Sequence, residues 1–186
     1  MEPEESLAAL RGGELDLAVM HAYDTLPLKL PGNCERHELL SDPIDLAIPV
    51  GDPLLADTPP AQPVDLAPLA DRQWICSRRG TSCHQMTRLV CGSADFVPNT
   101  VAYCADSATQ LSMVASGAGV ALVPWLAGEN APIGVELRRT TAPISRAVFA
   151  VTRKGGDRHP AVRIVCDYLA DTCAAWPEAR YRAAPA

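Results

Sequence analysis

The sequence predicts an α/β fold, and three observations carry that expectation: short apolar runs alternate with helical periodicity, glycine and proline punctuate the alternation, and one strand-then-helix pattern occurs twice. At the amino end Leu7 and Leu10 lie three apart in an Ala-rich acidic stretch, which predicts a helix stopped by Gly12-Gly13. LDLAVM, Leu15 to Met20, then reads as a strand buried on both faces. IDLAIPV, Ile44 to Val50, is a second strand, ended by proline and glycine.

Residues 51–68 carry five prolines and read as a connection, with short helical turns around Leu54-Leu55 and Leu66 to Ala70. WICS, Trp74 to Ser77, supplies a strand. Ser82 and Gln85 match the S-x-x-Q capping box, in which hydroxyl and amide satisfy first-turn groups that have no intrahelical partner. Met86, Leu89 and Val90 mark the helix face and Gly92 its end, and TVAYC, Thr100 to Cys104, gives the next strand.

The pattern recurs with Ser107 and Gln110 as a second box, and with Leu111, Val114, Ala115 and Ala118 on the buried face. Gly117 and Gly119 let that helix stop tightly before a strand at Val120 to Val123, closed by Pro124. GVELRR and SRAVFAVTR read as extended segments, and Pro160 opens a last helix whose face is Val162, Val165, Cys166 and Leu169. Residues 177–186 lack apolar periodicity and read as a loose tail. The alternation as a whole favours parallel strands with helices on both faces.

Composition narrows the function classes. Of 186 residues, 48% are hydrophobic, enough for a true core and against general disorder. Sixteen basic against twenty-two acidic residues give a formal charge of -6, so the net field repels a phosphate backbone and direct nucleic-acid contact is not expected. No apolar run reaches the eighteen residues of a membrane span, and the acidic start is unlike a secretory signal, so a cytoplasmic location is the simple expectation.

Seven cysteines form no C-x-x-C pair and read as mostly reduced and structural, with Cys76, Cys83 and Cys104 near the proposed site. The four histidines stand singly, so no metal or other cofactor is expected. Neither a G-x-S-x-G elbow nor a phosphate-binding glycine loop occurs, and Asp16, Asp42, Asp45 and Asp106 have no paired acid-base geometry legible in sequence; no catalytic residue is assigned.

The residues that remain point to binding. Two helix starts, TSCHQ and DSATQ, can aim amides and positive dipole ends at an anion, with Thr81, Ser82, Ser107 and Thr109 adding hydroxyls. Arg78 and Arg79 are candidate anion supports, and His84, His21 and Val120 are candidate wall residues. For each serine alone the plainer role is that of a helix cap.

Four passages, LAALRGGELDLAV, ELLSDPIDLAIPVGDPLLAD, VDLAPLADRQWI and LSMVASGAGVALVPWLA, together resemble the effector-binding domain of LysR-type transcriptional regulators. That resemblance, over roughly residues 4–172, implies the two-lobed type 2 periplasmic-binding-protein fold, each lobe a three-layer α/β/α sandwich, with a small, acidic effector between them. It places 1–50 and 132–176 in lobe I and 51–131 in lobe II, and puts His21, Thr81-Ser82, Asp106-Ser107 and Val120 at the ligand.

It also implies homo-oligomers whose attached winged helix-turn-helix domains, absent from these residues, hold promoter DNA. The first strand-helix-strand of lobe I likewise has no counterpart here, which leaves an interior strand without its neighbour. Two other classes share the fold. A transporter's solute-binding protein needs an export signal, and an enzyme such as a dehydratase needs acid-base groups in the cleft.

Overall fold

In the computed structural model, which describes residues 3–56 and 58–175, the amino-terminal segment forms α1 (Pro3–Gly12) and turns into β1 (Leu17–Tyr23). The expected tail at 177–186 lies outside the described residues. Arg153 ties this turn: its guanidinium donates to the carbonyl of Leu10 at 2.8 Å, to that of Leu15, and to Asp16 at 2.7 Å. A cation at a helix carboxyl end satisfies carbonyls with no intrahelical partner and complements the dipole.

Two compact units follow from the chain's own contacts: one takes residues up to Ser41 and from Arg146 onward, the other Asp42–Ser145. In the first unit β1 lies beside β7 (Ser145–Arg153), antiparallel with Met20 opposite Phe149, and β7 lies beside the first half of β2 (Cys34–Pro49). Leu10, Ala18, Met20, Ala22, Phe149 and Val151 form its core. β1 ends the strand order, and Val19 on it is half exposed.

The expected boundaries at 50/51 and 131/132 stand beside contact boundaries at 41/42 and 145/146. The physical reason is that β2 is longer than its apolar run: it begins at Cys34 in a polar stretch, and only from Asp42 to Ile48 is it continuously buried. The helix α5 (Pro160–Ala174) corrects one expectation. Val162 in its first turn is buried, but Val165 on the expected face is 46% exposed, as are Ile164 at 65% and Tyr168 at 70%.

The second unit is a mixed sheet, where the sequence suggested parallel strands. β3 (Gln73–Ser77) and β4 (Asn99–Cys104) are parallel, and Trp74 bridges in parallel to Val120, just before β5 (Ala121–Pro124). The second half of β2 then runs antiparallel to both β5 and β6 (Val135–Arg138). The antiparallel members arise because β2 enters this unit from the other one, an origin that local periodicity does not encode. Ala47, Ile75, Cys104, Leu111, Val114, Ala121 and Val123 make the core under α3 (Ser107–Ala115), α2 (Ser82–Ser93) buries Met86, Val90 and Cys91, and a short α4 (Trp125–Gly128) follows β5.

The proline-rich stretch belongs to this second unit. It forms two 3-10 turns, Pro53–Leu55 and Ala67–Leu69, at the places expected. Asp52 caps the first turn by accepting from the Leu54 amide at 3.0 Å and pairs with Arg72. Burial raises the Asp52 pKa, but the Arg72 hydrogen bond, the Leu54 amide and the Arg72 charge together outweigh it and leave the carboxyl below its ordinary value.

A group with a depressed folded pKa contributes stability that is full above the unfolded value, about 3.9 for aspartate, and is lost as pH falls through the folded one. Urea denaturation from pH 6 to pH 3 should therefore show Asp52→Asn less stable than the parent at pH 6, with the gap closing below about pH 4. A gap that stays constant over that range would remove the ion pair from the account.

Candidate functional site

β3 and β4 end side by side in the second unit. Ser77 stands opposite Cys104 in register, and the Arg78 amide donates to the Cys104 carbonyl at 3.0 Å. Each chain then turns directly into a helix, so the starts of α2 and α3 leave the same end of one sheet, the end at which open α/β sheets carry their ligands.

The caps differ from the expected boxes by one residue. Thr81, with φ -79° and ψ 155°, is the true cap of α2: its hydroxyl accepts from the His84 amide at 3.2 Å and donates to the Arg78 carbonyl at 2.7 Å. Ser82 is already helical and is buried at 9% exposure. At α3 the cap is Asp106, with φ -146° and ψ 161°, whose carboxylate accepts from the Thr109 amide at 2.8 Å and the Thr109 hydroxyl at 3.0 Å. Ser107 is the first residue of the helix.

The reason is backbone geometry: the cap is the last extended residue before helical φ and ψ, and both sequences offer two adjacent residues able to cap. Neither glutamine closes a box. Gln110 is buried and donates instead to the Ile75 carbonyl at 3.2 Å, fastening α3 to β3, while Gln85 is exposed.

This difference sets the electrostatics. The Asp106 carboxyl is held below its ordinary pKa by the Thr109 amide, then the Thr109 hydroxyl and the Ala108 amide, against a smaller effect of burial. A carboxylate therefore already faces the α3 amides. The start of α2 has a neutral cap, no acidic residue in its first turn, and Arg78 and Arg79 just before it. Of the two helix starts, α2 is the electropositive one.

His84 lies beside this start with its pKa lowered by burial and by the charges of Arg88 and Arg79. Its ring meets Tyr103 edge-on at 5.7 Å, and the Arg79 guanidinium lies 4.6 Å over the same Tyr103 ring. Val120 is fully buried, its amide donating to the Gln73 carbonyl at 2.9 Å and its carbonyl accepting from Ile75 at 2.8 Å.

His21 belongs to the first unit, on β1, edge-on to Tyr23 at 5.3 Å. Its pKa is pushed down to about 4 by burial and then by Arg146, so the ring is neutral at pH 7. The second unit thus carries Arg78, Arg79, Thr81, Ser82, His84, Ser107, Thr109 and Val120. Sequence reasoning missed Tyr103, which is 41% exposed on β4 and gives no local signal beyond its place in that strand.

All seven cysteines are free thiols. Burial raises the pKa of Cys76 and Cys104, and that of Cys91 to about 12, which disfavours the reactive thiolate. Among the described residues no group of three metal-ligating side chains converges, and no helix is long and apolar enough to cross a membrane.

The sequence model of the LysR substrate binding domain matches residues 1–174. The chain belongs to that family. A search of curated proteins gives no match. Among solved structures, the LysR-domain fold recurs in the Synechocystis CcmR regulatory domain in complex with 2-PG. Its TM-score is 0.76 at 15% identity, over 95% of this chain and 82% of that one.

The reduced OxyR regulatory domain from Pseudomonas aeruginosa gives a TM-score of 0.75 at 24% identity, over 95% and 80%. A Corynebacterium glutamicum OxyR mutant gives 0.73 at 20% identity, over 92% of this chain and 52% of that one. The LysR domain here therefore spans about half the length of that OxyR chain. At these identities the likeness establishes the two-lobed α/β fold of LysR effector-binding domains.

Proposed function

We propose that this chain is the effector-sensing part of a LysR-type transcriptional regulator and that it takes a small organic acid at the start of α2. The observation that carries the reading is the asymmetry of the two helix starts: α2 presents first-turn amides, a threonine cap and two preceding arginines, whereas the α3 amides already face Asp106. Structural relatives carry comparable ligands, shikimate in the QuiR effector-binding domain and benzoate in that of BenM, and both ligands are carboxylates.

The role is binding rather than catalysis, since the polar groups at the site hold backbone rather than one another in an acid-base pair. Promoter contact falls to a helix-turn-helix outside these residues, a reading that the net charge of -6 favours. The regulator works in the cytoplasm as a homo-oligomer.

The test is calorimetric titration of the chain with benzoate and with shikimate. At least one should bind, Ser82→Ala should weaken it about tenfold, and Ser107→Ala should change it less than about twofold. Equal binding of benzamide, or equal losses from the two serine variants, would defeat the acid-at-α2 reading.

A further inference from the structure

Two sulfur atoms of the second unit meet at a joint that takes no part in the effector reading. Cys104 is the last residue of β4, and Met113 lies on α3 nine positions later. The chain turns at Asp106, and α3 folds back over the sheet it has just left. That brings the Cys104 thiol against the Met113 thioether, Sγ to Sδ at 3.6 Å. Both residues are held in place: Cys104 belongs to the core with Leu111 and Val114, and the Gln110 amide fastens α3 to the Ile75 carbonyl at 3.2 Å. Met113 packs on the same core but is only half-buried, so the pair is within reach of solvent.

The chemistry of this pair selects one kind of ligand. Thiolate and thioether are soft donors that favour Cu(I) and its analogue Ag(I), whereas hard cations take oxygen ligands. A structural zinc ion needs four donors, and among the described residues no three His, Cys, Asp or Glu side chains converge. A soft monovalent ion is satisfied by two sulfurs. Asp106 stands beside them: burial, and then the Asp106 charge, raise the Cys104 pKa, so the thiol keeps its proton while no metal is bound. The same negative charge attracts a cation. Its carboxylate oxygens are held by the Thr109 amide and hydroxyl, so Asp106 acts through its field rather than as a ligand.

We propose that Cys104 and Met113 form a two-coordinate site for a soft monovalent metal ion of the Cu(I) class, bound across the joint between β4 and α3. Binding exchanges one ion for one proton. The thiol S–H bond breaks and its proton leaves to solvent, the thiolate and the thioether each donate an electron pair to the metal, and no oxidation state changes. Metal–sulfur bonds of about 2.3 Å set the sulfurs of a linear unit about 4.6 Å apart, so the pair opens by about 1 Å. Met113 supplies that movement, because its side chain is unbranched and half-buried.

The experiment uses the full chain, reduced and kept under anaerobic conditions. Cu(I) is titrated in competition with bathocuproine disulfonate, and Ag(I), which is redox-stable, is added to protein carrying carbon-13 methionine methyls. The parent should hold one equivalent of Cu(I) against the competitor. Met113→Leu should weaken it by at least the roughly tenfold that losing even an outer-shell partner costs a metal site. Leucine conserves the volume and leaves all seven free thiols in place, so that loss reads the thioether. Cys104→Ser should abolish the site, and Met86→Leu, in the core of α2, should bind as the parent does. On addition of Ag(I) the Met113 methyl resonance should shift while those of Met20 and Met86 stay.

Equal retention of Cu(I) by Met113→Leu would reduce the binding to thiols alone and overturn the proposal. So would a parent chain that yields all its Cu(I) to the competitor, or a Met113 methyl that does not move with Ag(I). Failure of benzoate and shikimate to bind at α2 would leave this outcome untouched, because the metal is read separately from the acids.

Discussion

Replacing Gly119 with alanine is expected to destabilise the second unit by about 3 kcal/mol, the upper end for forcing added atoms into a packed site. A Cβ at this position would run into the Gln73 carbonyl, which is backbone and cannot swing aside. That carbonyl accepts the Val120 amide at 2.9 Å, and Val120 in turn accepts from Ile75 at 2.8 Å, so the clash sits on the bonds that join β3 to the strand after α3.

Gly117 is the control. Its φ of 79° is the left-handed closure of α3, where the Ala118 amide returns to the Met113 carbonyl at 3.1 Å and its own amide to Val114 at 2.9 Å. Nothing lies within 4 Å of a Cβ there, so Gly117→Ala carries only the backbone term of roughly 1 to 2 kcal/mol. Urea denaturation followed by circular dichroism checks both. A Gly119→Ala loss no larger than that of Gly117→Ala would refute the close-approach argument.

Arg138→Met is expected to cost a similar amount, about 3 kcal/mol or more, because it removes one partner from a buried charged network. Arg138 is 2% exposed, and its guanidinium donates to the carbonyls of Thr58, Pro59 and Gln62 and to the Glu136 carboxylate at 2.9 Å. Methionine fills much of the volume but leaves those acceptors without a donor. Lysine restores the charge without the planar fork that reaches several carbonyls at once, so Arg138→Lys should recover only part of the loss.

Hydrogen exchange gives the local reading. Amides bonded near the clamp, such as Gln62 to the Pro59 carbonyl and Val64 to the Arg139 carbonyl, should lose protection in Arg138→Met before the β3 core does. Uniform loss of protection across the unit would show that the arginine acts on global stability rather than by holding this segment.

Arg138 also illustrates what local pattern cannot supply. The five prolines at 51–68 were legible as irregular chain with two short turns, because proline fixes φ and removes a donor wherever it occurs. That this chain is fastened into the second unit depends on an arginine about eighty residues later in sequence. Similarly, the exposed face of α5 was unreadable, since periodicity reports which residues could be buried together and not whether anything lies against them.

For the candidate site, the sequence carried the residue types and the strand-then-helix order, and the LysR family match over residues 1–174 agrees with the motifs at both ends of the chain. It misplaced the caps by one residue because Thr81-Ser82 and Asp106-Ser107 each offer two oxygens that could serve, and only the backbone angles choose between them.

By itself the sequence determined the α/β alternation, the glycine joint after α3 and the helix starts, all of which follow from interactions within a few residues. The Asp106 cap, which leaves α2 as the helix start with a free positive end, is likewise local, made to the Thr109 amide three residues on. Only the tertiary structure decided that β2 serves both units and that Arg138 fastens the proline-rich segment about eighty residues before it. Those outcomes depend on distant chain segments meeting, and neither hydrophobic period nor capping preference encodes which segments meet.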